Sequence, residues 1–419
     1  MRIAAVRGRQ IFDSRGTPTV EAEVYLENGA AAVASVPSGA STGRHEAVEL
    51  RDGDPAAYGG KSVLKAVRAV NQDLNEALHG LPANDQAAVD DAILRADGTD
   101  NKSRLGANAT LAVSLACARA AAAAHRLEFY RYLGGAGGVT LPVPMMNILN
   151  GGAHADNNVD IQEFMIVPLG AGSFCHAMKM GTEIYAALKA ALKSRGLATA
   201  VGDEGGFAPS LRDDEQALEL LVEAIESAGY RPGADVAIAM DAAASEWTQG
   251  DGYRLPKNGQ SLTREALIAH FADLAGRFPI FSIEDPLGED DFEGFAHITE
   301  QLGAQVQIVG DALFVPTPAR LEQGIRSRSA NAVLVKPNQI GTLSETIRTV
   351  RLAQQHGYRT ILSHRSGETE DTSIADIAVA LNAGQIKTGA PARTDRVCKY
   401  NRLLKIEQTL GMAAVYGRL

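Results

Sequence analysis

Between Thr19 and Leu26 apolar and polar residues alternate, with Val20, Ala22, Val24 and Leu26 set against Thr19, Glu21, Glu23 and Tyr25. A period of two predicts a half-buried strand, and the Asn28-Gly29 pair that follows predicts a hairpin turn. Residues 1–36 therefore read as β structure. "PSGASTGRHE" (37–46) is too polar and too rich in small residues for a regular element. From Lys61 the period lengthens: Val63, Val67, Val70, Leu74 and Leu78 share one face of a helix. Helical spacing continues to about Tyr132. The glycine-dense "LGGAGGVTLP" (133–142) then predicts a linker.

Beyond the linker, short apolar runs recur between helical stretches: "FMIVPL", "VAIAMD", "IFSIED", "VQIVGD", "AVLVKP" and "RTILSH". One of the helical stretches, "TLSETIRTVRLAQQHG" (342–357), opens on the capping box Thr342-x-x-Glu345 and closes on Gly357. Such alternation predicts an α/β fold, and with no GxGxxG opening the first unit it favours a parallel barrel over an open sheet. The expected organisation is a smaller N-terminal α+β domain over residues 1–133 and a C-terminal α/β barrel over 140–419 that carries the active site.

The barrel runs end alike. "VAIAM" ends in Asp241, "IFSI" in Glu284-Asp285, "VQIVG" in Asp311, "AVLV" in Lys336, "TILS" in His364-Arg365 and "GQI" in Lys387. Polar helix caps account for some such positions, but not for a lysine emerging directly from Ala-Val-Leu-Val. In a barrel these tips converge on one rim, where such folds build their sites. Asp241, Glu284 and Asp311 offer hard oxygen donors with no sulfur, the donor set of Mg²⁺. Lys336 beside a dication reads as a general base with a lowered pKa, or alternatively as the partner of a neighbouring acid. Glu163 in "IQEFM" and Glu204 in "VGDEGGF" are candidates for a proton donor, and His154 sits in the polar loop "NGGAHADNN". Arg365, Ser366 and Lys387 suit phosphate or carboxylate recognition, and Ser41 lies in a loop able to close as a lid. Together these groups imply abstraction of a proton next to a carboxylate, followed by loss of a β leaving group.

Composition narrows the partners. The 419 residues are 45% hydrophobic and 21% charged, and the net charge of −10 argues against nucleic acid or an anionic membrane as a partner. An anionic small substrate remains compatible, because a local metal or a few cations reverse the field in a cleft. Cys117, Cys175 and Cys398 are too far apart for a CxxC motif and suggest a reducing compartment. The first residues lack the apolar core of a signal peptide, so the expected location is cytoplasmic. "LAVSLACARAAAAAH" (111–125) comes nearest to a membrane span, but Arg119 interrupts it and a packed helix is the expectation.

Longer motifs now carry a resemblance. "DSRGTPTVE", "SGASTG", "LGANAT", "NGGAHADNN", "VGDEGGFAP", "SIEDP", "KPNQIGTLSE", "SHRSGETEDT", "GQIKTGAPAR" and "KYNRLLKIE" occur in order, and on them the chain resembles the enolase family over essentially its whole length. The resemblance implies an N-terminal α+β domain on an atypical barrel whose first strands are not all parallel. It implies Asp241, Glu284 and Asp311 as Mg²⁺ ligands, with Ser41 reaching a second Mg²⁺. Lys336 would be the base and Glu204, with Glu163, the acid. His154, Glu163, His364, Arg365, Ser366 and Lys387 would contact an anionic phosphorylated substrate. The implied reaction is reversible dehydration of 2-phosphoglycerate to phosphoenolpyruvate in glycolysis. A homodimer or higher homo-oligomer is implied as well, paired through Arg9 with Glu183 and Glu21 with Lys405, the last a position where the family usually has Arg.

The chain also departs from the family pattern. "GDALFVPT" replaces GDDLFVTN, placing Ala312 and Thr317 where an acid and Asn are usual, and Pro337 stands where Val usually follows the base. Thr17 and His176 replace a customary Asn and Glu. Two further readings stand beside this one, the first suggested by these departures and the second disfavoured because Lys336, Glu204 and all three ligand positions are kept together. One is a paralogue dehydrating a 2-phosphoglycerate analogue to carboxyphosphonoenolpyruvate in phosphonate antibiotic biosynthesis; the other is a non-enzymatic protein on the same fold.

Overall fold

Three antiparallel strands open the chain: β1 (Ile3–Phe12), β2 (Pro18–Leu26) and β3 (Ala31–Ser35). The structure is a computed structural model, and it describes residues 1–39, 43–315 and 317–417. The alternation along β2 has the expected effect: Val20, Ala22, Val24 and Leu26 are buried. Gly29 takes a positive φ in the β2–β3 turn, a conformation that glycine adopts at little cost. The helical face predicted from Lys61 lies over residues 64–78, with one wide π-type turn at Val70–Leu74. Its placement depends on Gly8 of β1, where a Cβ would meet Val70 at 2.7 Å. Asn71 fills the gap with hydrogen bonds to both the N–H and the carbonyl of Gly8, each 3.0 Å.

The alanine-rich run forms α1 (Ala107–Ala124), long and apolar enough to cross a membrane by length and composition. It packs against β2 and β3, and 83% of it is buried inside the protein. Arg119, the interruption noted in the sequence, pairs with Asp371 at 2.7 Å. By contacts, Met1–Val139 forms one compact unit with Val335–Arg351 and His364–Asn382. The second unit comprises Thr140–Leu334, Leu352–Ser363 and Ala383–Leu419.

Eight strands close into a barrel: β4 (Val143–Asn150), β5 (Glu163–Val167), β6 (Ala237–Asp241), β7 (Ile280–Glu284), β8 (Gln307–Gly310), β9 (Ala332–Val335), β10 (Arg359–Ser363) and β11 (Gly384–Lys387). Around the barrel they follow chain order, with β11 closing against β4. Apolar periodicity alone predicts a parallel barrel, and here it is corrected. β5 runs antiparallel to both β4 and β6, the arrangement implied by the resemblance. The reason is local: the connection from Asn150 to Glu163 contains only a short 3₁₀ turn, whereas a parallel return is usually carried by an α-helical crossover.

Reversal matters for the site. It places Glu163, the first residue of β5, beside Asn150 and Asp241, the last residues of β4 and β6. Asp241 is in turn in register with Glu284, the last residue of β7. Beneath this row the barrel interior is filled by Val143, Met145, Met165, Ala239, Val309, Leu334 and Ile361, all buried. One polar layer crosses it, where the Gln307 and Gln385 amides bond reciprocally at 3.1 and 2.8 Å and Gln307 also donates to Ser282. Each buried amide there finds a partner, so the layer avoids the desolvation cost of an orphaned group.

Candidate active site

The end-of-strand row converges on one ammonium. Lys387, at the tip of β11, places Nζ 2.9 Å from Asp241 Oδ2, 2.9 and 3.0 Å from the two Glu284 oxygens and 3.3 Å from Glu163 Oε2. Lys387 and Glu163 are each 2% exposed, Asp241 5% and Glu284 not at all. Burial alone lowers the ammonium's pKa, but Asp241, Glu163, Glu284 and Glu204 outweigh it and hold Lys387 well above the ordinary lysine value. Three carboxyl groups face one ammonium, an arrangement suited to holding more positive charge than a single lysine supplies. Aspartate and glutamate oxygens converging on a buried cation are the donor chemistry Mg²⁺ takes, and on that observation the residues present fit the metal.

Next to Lys387 stands a second cluster. His154 Nδ1 lies 3.6 Å from Glu163 Oε1 and 3.9 Å from Glu204 Oε1. One ligand-type atom from each of the three falls within 4.8 Å of the others, an arrangement able to hold a metal ion. Asn147, fully buried on β4, donates to Glu204 Oε2 at 3.0 Å. The Glu204 turn is tight: a Cβ on Gly206 would lie 2.2 Å from Asn150 Oδ1, so only glycine fits there. Ala390 N–H donates to the Glu204 carbonyl, Tyr185 donates to that of Gly205, and the buried Arg396 donates to that of Asp203.

The His154 loop is anchored from its far side. Asn157 Nδ2 donates to the carbonyls of Asn150 and Pro209, and Asn158 bonds both backbone groups of Leu211. Asp214 Oδ1 accepts the N–H groups of Asp160 and Ile161 at 2.9 and 3.1 Å. Asp160 passes the linkage on by accepting the N–H of Lys257 at 2.6 Å. Burial, then the neighbouring Asp160, pushes the Asp214 carboxyl up to about 7.

Asp311 is placed by a different set of contacts. Its N–H donates to Asp285 Oδ1 and the N–H of Ala312 to Asp285 Oδ2, both at 2.9 Å. Asp285 is buried and holds φ at +42°. Burial first, then Asp311 and Asp241, push its carboxyl up to about 8. Ala312 therefore contributes its main-chain N–H, which any residue but proline supplies.

Lys336, His364, Arg365 and Ser366 belong to the first compact unit. Lys336 is the residue after β9, and His364 the residue after β10. Pro337 opens the short helical turn Pro337–Ile340. At that first position an N–H has no partner inside the helix, so proline's lack of a donor beside Lys336 leaves no helical bond unmade. His364, Arg365 and Ser366 are buried. Arg365 Nη1 reaches Glu46 Oε2 at 3.1 Å and Asn338 Oδ1 at 3.2 Å, and Ser366 Oγ accepts from Arg15 Nη1 at 3.2 Å. Ser41 lies outside the described residues, as does Pro316.

Within the second unit, then, the fold assembles Asp241, Glu284, Glu163 and Lys387, and beside them His154 and Glu204. Sequence reasoning missed the residues that hold these in place. Asn147 and Asn150 are hidden in the apolar run "VPMMNILN", and Asp214 reads as an ordinary first-turn acid. Asp285 had a signal, since it doubles the acid at the end of β7.

Comparison with known families separates the chain into two matches. Residues 3–133 match the family described as "Enolase, N-terminal domain", and residues 138–418 match "Enolase, C-terminal TIM barrel domain".

Proposed function

The chain belongs to the enolase family, and from that premise we propose that it is a hydro-lyase catalysing the Mg²⁺-dependent, reversible dehydration of 2-phosphoglycerate to phosphoenolpyruvate. The observation that carries this reading is the buried Lys387 ammonium enclosed by Asp241, Glu284 and Glu163. A set of groups kept for stability alone has little reason to take this form, because desolvating several charges costs more than a hydrophobic isostere would.

In this reading Asp241, Glu284 and Asp311 hold Mg²⁺, with Ser41 serving a second ion. When bound, the metal stabilises negative charge accumulating on the substrate carboxylate. Lys336 takes the proton from the adjacent carbon. Glu204, with Glu163 beside it, protonates the departing hydroxide. Asn147, by donating to Glu204 Oε2, leaves Glu204 Oε1 as the oxygen facing His154. Lys387, His154, His364, Arg365 and Ser366 bind the carboxylate and phosphate, and Arg365 supplies the planar fork such oxyanions favour. We place the protein in the cytoplasm as a homodimer acting in glycolysis.

A second reading keeps the chemistry and changes the substrate to a carboxyphosphono ester of the same skeleton. It is favoured by the absence of a carboxyl at Ala312, directly after Asp311, which leaves less negative charge to oppose a more anionic substrate. Purified protein with Mg²⁺ and 2-phosphoglycerate decides between them. Rising ultraviolet absorbance from the enol product supports the first reading. Turnover of the carboxyphosphono analogue with none of 2-phosphoglycerate replaces it with the second.

A further inference from the structure

Three strand ends that deliver the acids of the row are joined through one residue that has no assigned role. Asp285 follows Glu284 at the end of β7. Its N–H donates to the carbonyl of Val309 in β8 at 3.0 Å, and its own carbonyl accepts the N–H of Ala244, beyond β6, at 3.0 Å. Immediately before it, the Glu284 carbonyl accepts the N–H of Ala242 at 3.0 Å. The backbone of residues 284–285 thus binds the chain on both sides, at the points where Asp241 and Asp311 leave the barrel.

The Asp285 side chain does more. Its two oxygens accept two successive N–H groups, those of Asp311 and Ala312. One acceptor restrains one peptide plane; two acceptors on neighbouring planes fix the rotation of the residue between them, which here is Asp311. The backbone of Asp285 is also in the left-handed region, which a non-glycine residue occupies only at a cost of about 1 kcal/mol or more. Such a conformation persists where surrounding bonds over-determine it, and here at least four do.

We infer that Asp285 is the positioning residue of the metal-ligand set: it fixes the turn after β8 so that the Asp311 carboxylate is presented alongside Asp241 and Glu284. The inference rests on the reading of Asp311 as a Mg²⁺ ligand. It accounts for the tolerance of alanine at 312, because Asp285 uses the N–H at that position and not its side chain.

The test is calorimetric titration of Mg²⁺ into the full chain without substrate, together with thermal unfolding of each variant. Asp311→Asn is the reference and should weaken Mg²⁺ binding. Asp285→Asn turns one acceptor into a donor facing N–H groups. It should weaken Mg²⁺ binding about 10–100-fold, the range for partners of ligands, with a lowered melting temperature in the absence of metal, because one N–H loses its acceptor, but with the protein still folded at the titration temperature. Replacing the Ala312 amide by an ester removes one N–H alone and should lower Mg²⁺ affinity in the same direction, whereas Ala312→Ser should not. The ester also serves if Asp285→Asn does not fold. Unchanged affinity in the folded Asp285→Asn variant or in the ester, with Asp311→Asn impaired, overturns the positioning role. Unchanged affinity in Asp311→Asn overturns the ligand reading itself.

Discussion

A lysine can serve a protein by neutralising a buried acid or by binding an anion, and at Lys387 these two roles compete. Its ammonium already faces Asp241, Glu284 and Glu163, so an anionic substrate gains from it only if something else neutralises those acids. A dication on Asp241 and Glu284 would do so and would free Lys387 to face a carboxylate. That exchange makes a prediction about stability. Lys387→Ala leaves buried acids without a counter-charge and should destabilise the metal-free protein by about 3–5 kcal/mol, the usual result of breaking a buried ion pair from one side. Mg²⁺ should then restore more stability to the variant than it adds to the original chain. Urea unfolding with and without Mg²⁺ measures both, and equal Mg²⁺ stabilisation of the two proteins would remove these carboxylates from the metal site.

At the scale of elements, the sequence reveals the strands more readily than their directions. The apolar runs marked every barrel strand from β5 to β10, and at the tips of β6 to β11 the charged residue was visible because a charge closing an apolar run stands out. The direction of β5 was not visible in periodicity, which reads the same forwards and backwards. It was encoded in the lack of a helix in the connection before it, and that connection holds Glu163 and His154 in reach of each other. The bonds that hold this loop were equally hidden, because they join residues far apart in sequence: Asp214 to Asp160 and Ile161, and Asn158 to Leu211. Asp214 also sets a pH dependence. Its carboxyl, ordinarily near 3.8, is raised to about 7, so the folded state keeps the proton that the unfolded state has released. The stability contributed by that proton is present at low pH and lost as pH rises from about 4 to about 7. Asp214→Asn keeps the Oδ1 acceptor used by both N–H groups and carries no charge to desolvate. Because Asp214 as a whole is only partly buried, the gain above pH 7 should be modest, about 1 kcal/mol, and the variant should lack this contribution to the pH slope. Denaturant unfolding across that range gives the slope directly, and identical slopes in the two proteins would show that Asp214 does not titrate there.

For the molecule as a whole, the surface charges bear on association. Arg9 pairs within the chain with Glu21 at 3.0 Å and with Glu23, and Glu183 pairs with Lys179 and Tyr230. Arg9 is 48% exposed and Glu183 44%. Ion pairs this open contribute about 0–1 kcal/mol each, so exchanging one acidic partner for another costs little. In the proposed homodimer a pairing of Arg9 with Glu183 of the other copy would therefore compete on nearly equal terms with the pairs inside each chain, and apolar contact would have to supply most of the affinity. With a net charge of −10 on each copy, self-association is opposed at long range, and added salt screens that opposition. Salt also weakens the specific pair, so its two effects act in opposite directions, and substitution separates them. Light scattering should give twice the mass of one chain at micromolar concentration. Arg9→Glu removes the attractive partner and adds two units of negative charge per copy. Its dissociation should therefore increase most at low salt and recover as salt is raised, while an Arg9→Glu protein that stays dimeric at low salt would place the interface away from β1.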